Sequence, residues 1–198
     1  MDAERQGPER NQMFHHRAIL IAVLVVSAPA STLADEPNAN FVLRLFMDAC
    51  VPNMGQPEKT RAWAAEHHLQ EVSAPAALGV FVGAGTKGSA WAVPSSLGSF
   101  ALSIRGTTEA CAVWARTADP AEVAVGFKKL MDGVKRPGLD VGIDSDTTTS
   151  TPVGQARSLV YHVWPSSGQA GFAFTMLTAE HPGGAFQGSI QVARATRP

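Results

Sequence analysis

Residues 99–105, SFALSIR, alternate Phe100, Leu102 and Ile104 with Ala101, Ser103 and Arg105. A period of two sends successive side chains to opposite faces, so this stretch reads as a half-buried strand rather than an amphipathic helix. Its neighbours have the same texture. SAWAV precedes it across PSSLG, and EACAVWAR follows it across GTT. Both connections carry the Gly, Pro or Ser that turns use to reverse a chain. The spacing predicts a three-stranded antiparallel meander.

A helix must follow directly. Asp119 stands before Pro120, and Glu122 comes three residues after Asp119, the pattern of a capped N-terminus. Val123, Phe127, Leu130, Met131 and Val134 supply its apolar stripe. Beyond a polar, turn-rich stretch at 138–154, which offers at most one short edge strand, ARSLVYHVW, GFAFTMLTA and AFQGSIQVARA read as a second meander.

Ahead of the first meander, FVLRLFMDACV puts Phe41, Val42, Leu45, Phe46 and Ala49 on one side of a helix and Arg44 and Asp48 on the other. Pro52 and Gly55 end it. A second helix from Pro57 is expected to bury Ala62, Ala65, Leu69 and Val72, and SAPAALG reads as a loop. The expected fold class is α+β. An antiparallel sheet of about six strands in two meanders carries two N-terminal helices and one central helix.

The chain has 198 residues, of which 45% are hydrophobic, enough for one buried core. Its net charge of -1 gives no electrostatic basis for binding nucleic acid. At the N-terminus, Arg17 precedes the apolar run Ala18 to Val26, and small residues follow up to Ala30 and Ala34. That is the layout of a secretory signal peptide over 1–34, and the run is much shorter than the roughly 20 residues of a spanning helix. Starting at Met13 would leave a leader free of acidic residues, so Met13 is the alternative start. Residues 35–198 then form a single domain, in the periplasm or secreted, with no membrane insertion after cleavage.

Cys50 and Cys111 are the two cysteines, and three roles stand open for them. An even count in an oxidising compartment favours a disulfide. A nucleophile needs a partner histidine and a depressed thiol pKa, and a metal site needs a ligand cluster. Neither requirement can be met near Cys111 from the sequence. FVLRLFMDAC, a central Trp, and CAVWARTADP leading into a helix resemble an uncharacterised family of small secreted proteobacterial proteins with two cysteines. The resemblance implies an envelope location and a disulfide, and it transfers no catalytic residue.

Other polar groups have ordinary explanations. His67 and His68 are adjacent and diverge by about 100° on a helix, so they do not chelate together. Asp144 and Asp146 alternate as in calcium loops, without the glycine and glutamate such loops need. Ser166, Ser167, His162 and His181 lie among hairpins with no distinguishing spacing. No metal, cofactor or catalytic residue is assigned.

LVYHVW is different, because it is apolar on both faces, and Trp114 alternates away from Cys111. Either the sheet curls to bury both faces, or Trp114, Tyr161, His162 and Trp164 form a binding face. The expected function is therefore non-catalytic binding in the cell envelope, with another envelope protein or a small apolar ligand as partner. The alternative is a hydrolase without a recognisable motif. Export should yield a protein beginning at Asp35 or, after the earlier site, at Ser31; intact-mass measurement showing that Ile19 to Val26 is retained would refute the leader.

Overall fold

A computed structural model describes residues 38–106, 108–151, 154–181 and 185–197. The expected signal peptide lies outside these residues. Helix α1, Asn38–Ala49, buries Ala39, Val42, Leu45, Phe46 and Ala49. A 3-10 turn, Val51–Asn53, stops it, with Pro52 inside the turn and the Asn53 side-chain amide donating to the Ala49 carbonyl at 3.0 Å.

Helix α2, Pro57–Glu66, buries Thr60 and Ala64, while Ala62 and Ala65 face solvent, contrary to the stripe expected from the sequence. The helix ends too early for that stripe. His68 takes a left-handed φ of 53°, and the Leu69 N–H turns back to the Ala64 carbonyl at 2.9 Å. Leu69 and Val72 thus lie beyond the helix and do not extend its face.

The two expected meanders are present and fused. Strands β1 (Gln70–Glu71), β2 (Gly88–Val93), β3 (Phe100–Arg105) and β4 (Ala110–Ala115) form one half. The other half comprises β5 (Leu139–Thr151), β6 (Gly154–Pro165), β7 (Ala170–Ala179) and β8 (Gly188–Thr196). Pairing of β4 with β8 makes a single antiparallel sheet in the order β1-β2-β3-β4-β8-β7-β6-β5. The α+β class holds, with eight strands and four α-helices among the described residues rather than about six and three.

The extra elements have physical reasons. β5 reads as loop because of its glycine, aspartates and serine, yet it pairs with β6 along its length, broken by one bulge between Ile143 and Ser145. Its Thr-rich end suits a pleated strand once a partner is present. Helix α3, Pro75–Val82, has no polar side chain, so no amphipathic period betrays it, and Gly79 lowers its intrinsic preference. Pro75 opens it, and Gly83 stops it at a φ of 93°.

Helix α4, Pro120–Val134, begins as the sequence predicts, with one Asp119 carboxylate oxygen accepting from the Ala121 and Glu122 N–H groups at 2.8 and 2.9 Å. It crosses one sheet face beside α1. The main core lies between them: Phe46, Leu102, Ile104, Val113, Phe127, Met131, Met176 and Ile190 are fully buried. Phe127 meets the Tyr161 ring edge-on at 5.8 Å, and Phe46 meets Phe174 at 6.2 Å.

Cys50 and Cys111 form a buried disulfide, with Cα atoms 5.5 Å apart, that ties the end of α1 to β4. Closing a 61-residue separation stabilises by about 4 kcal/mol in the chain-entropy account. On the opposite face, α3 covers β2 and β3, and its Phe81 meets Trp114 at 5.9 Å. This half of the sheet has both faces covered, the second by an added helix.

Phe127→Ala should cost about 3–5 kcal/mol in chemical denaturation, whereas a surface position would lose under about 1. Cys50→Ser and Cys111→Ser should destabilise by similar amounts, and the double variant by little more, because each removes the same bridge.

Candidate functional site

The ends of α1 and α4 lie close together on the helix-covered sheet face. Between these ends and β5–β7 lies a cavity of about 400 Å³. Met47, Val51 and Met54 form one wall, and Leu130, Gly133 and Val134 of α4 form another. Phe172, Phe174, Val163 and Leu139 line the sheet side, where Phe174 belongs to the buried core. Volume and lining both fall within the range of small-molecule sites.

Gly133, in the last turn of α4, is exposed and lines this cavity without a side chain. A Cβ built on Gly133 would meet nothing within 4 Å. Leu130 and Val134, which the sequence places in the core stripe, are accordingly half-buried. Met47 is 41% exposed and lies off the predicted face of α1. Among the described residues, Arg136 is the one ionisable residue lining the cavity, and none forms an ion pair with it. Pro137 follows, and the Arg136 carbonyl accepts from the Leu139 N–H at 3.1 Å, which fixes the turn carrying it.

The four residues of the expected binding face do not share one surface. Tyr161 points into the main core with α4. Trp114 is on the opposite face, its indole N–H donating to the Ser103 hydroxyl at 2.7 Å and its ring packed between Phe81 and Phe186. His162 and Trp164 are also on that face, stacked on each other at 5.8 Å, but β8 and β7 separate them from Trp114. Trp164 is only 5% exposed.

His162 sits between two carboxylates. Its Nδ1 is 2.5 Å from Asp144 and its Nε2 is 3.5 Å from Asp140, which in turn accepts from Arg197 at 2.8 Å. Gly142 lies opposite His162, and a Cβ there would approach the ring to 2.7 Å. The bulge at Asp144 and the missing side chain at Gly142 thus let the imidazole lie across β5. Each ring nitrogen thus faces a carboxylate of β5.

The remaining candidates are scattered. Asp146 turns to the other side of the hairpin and accepts two hydrogen bonds from Arg157, which hold its carboxyl below the usual range. Ser166 and Ser167 follow β6, whereas His181 lies beyond the far end of β7, beside Glu180. His67 stacks on Trp63 at 3.9 Å. Among the described residues, no group of three His, Cys, Asp or Glu side chains could hold a metal. None of their helices is long and apolar enough to cross a membrane.

The cavity has no counterpart among the sites expected from the sequence. Its signals were methionines outside the apolar stripes, at 47 and 54, and a glycine in the last turn of an otherwise well-formed helix. No protein-family model, curated protein or solved structure matches the chain.

Gly142→Ala should destabilise by about 1–3 kcal/mol by forcing the imidazole aside. In a His162→Ala background the same change should cost under about 0.5 kcal/mol, a coupling that a double-mutant cycle measures directly. Equal costs in both backgrounds would show that the ring does not require Gly142.

Proposed function

We propose that this chain is an exported, non-catalytic binding protein, periplasmic or secreted, which holds a small apolar ligand in the cavity between α1, α4 and β5–β7. The observation that carries this reading is the lining itself: about 400 Å³ walled by Met, Val, Leu, Pro and Phe, with one arginine at the rim. Nothing in that lining is a nucleophile or a general acid or base of ordinary pKa, so the site is equipped to hold a molecule rather than transform it. The buried disulfide supports an oxidising compartment, because such bonds persist there and are rare in reducing ones.

Methionines suit such a site, since their unbranched side chains repack around ligands of different shape. A hydrolase is less well supported. Both cysteines are consumed in the disulfide, and His162 is held by acids on a different sheet face.

Titration with the neutral fluorophore N-phenyl-1-naphthylamine should give saturable enhancement at one site. Gly133→Leu should weaken binding at least tenfold without lowering the unfolding temperature, since leucine fills the void and is favoured in a helix over glycine by about 0.8 kcal/mol. Absence of saturable binding would sink the proposal, as would a Gly133→Leu variant that binds unchanged.

A further inference from the structure

We infer that the natural occupant of this cavity is a single-chain amphiphile with an anionic head, whose tail lies along Met47, Met54 and Phe172 while the head engages Arg136. The inference rests on the binding function proposed above and adds the chemical class of the ligand.

Charge at the mouth is the first argument. Two other arginines near this end of the sheet, Arg194 and Arg197, are committed. Arg194 pairs with Glu109 at 3.1 Å and donates to the Gly55 carbonyl at 2.5 Å, and Arg197 donates to Asp140 at 2.8 Å. Arg136 has no such partner among the described residues, yet it lines an otherwise apolar cavity. Its planar guanidinium can hold a carboxylate through two parallel hydrogen bonds.

Arg136 also follows the C-terminus of α4, whose partial negative charge attracts cations. That role is already filled. Lys128 and Lys135 both bond Asp132 in the last turns, leaving that cluster with a net positive charge. Complementing the helix therefore does not depend on Arg136 alone.

Size and shape are the second argument. The volume is near the lower end of the roughly 300–1,000 Å³ occupied by ligand sites, which suits one chain rather than two. Beyond Phe172 a shallower hollow continues along Ala170, Arg194 and Thr196, so a longer tail has a path across the half-buried ring.

The test is displacement of bound N-phenyl-1-naphthylamine by dodecanoate and by dodecan-1-ol, each below its aggregation threshold, on the full chain and on Arg136→Gln. Dodecanoate should displace the probe at a concentration at least tenfold lower than dodecan-1-ol. Arg136→Gln should weaken dodecanoate about tenfold and leave the alcohol and the probe unchanged. Raising the salt concentration should weaken only the carboxylate. Equal potency of acid and alcohol on the unmodified chain would overturn the anionic head while leaving the cavity as an apolar site. Saturable probe binding that neither compound displaces would overturn the amphiphile altogether. Probe binding that falls as protein concentration rises would assign the cavity to a second copy of the chain and overturn the inference. If the probe itself does not bind, this inference fails together with the binding function.

Discussion

The ladder between β4 and β8 is the pairing on which the other contacts depend. It sets Cys111 opposite Val192 and Val113 opposite Ile190, and so joins two meanders that are far apart in sequence. α1 packs on β4 and β8, and α4 packs on β7 and β8. Once joined, the two halves bury Val113, Ile190 and Val192 beneath the helices. The disulfide acts on the same strand: it anchors the end of α1 to Cys111, at the centre of the fused sheet. Covalent closure and β-pairing therefore meet at one strand, and β4 is buried from end to end.

The second sheet face is managed unevenly, and this determines which aromatic residues are accessible. Over β2–β4, α3 and Phe186 cover Trp114, and the indole nitrogen is satisfied internally by Ser103. Over β5 and β6 the face is occupied by the acid–imidazole–acid arrangement around His162, with Trp164 stacked on it. A carboxylate on each side of a histidine restrains the ring and ties β5 to β6 across its bulge. Polar groups thus maintain a sheet edge that has little apolar burial of its own, since most of β5 is exposed.

The cavity follows from how the helices stop. Pro52 and the 3-10 turn end α1 above the sheet, Pro137 prevents α4 from continuing, and Gly133 leaves the space between them unfilled. A larger residue at Gly133 would raise the helix preference of that turn. Gly133 and Arg136, which forms no ion pair among the described residues, both line this cavity.

Several features follow from the sequence alone, because they are local. The Asp119–Pro120–Glu122 cap, the apolar stripes of α1 and α4, and the alternation in β3 arise from interactions within a few residues, so reading the chain in order recovers them. The Cys50–Cys111 pair was legible from count and compartment, although only the fold brings the two Cα atoms to 5.5 Å. Tertiary structure decided the rest. α3 lacks a polar face and packs its Phe81 against Trp114, and β5 is extended along its antiparallel ladder with β6. Tyr161 and Trp164, three residues apart on one strand, fall on opposite faces, so the expected aromatic surface was divided by the pleat. The cavity was least visible of all, because an empty volume belongs to no residue: it is set by where separate helices end relative to a sheet, which local sequence patterns do not encode.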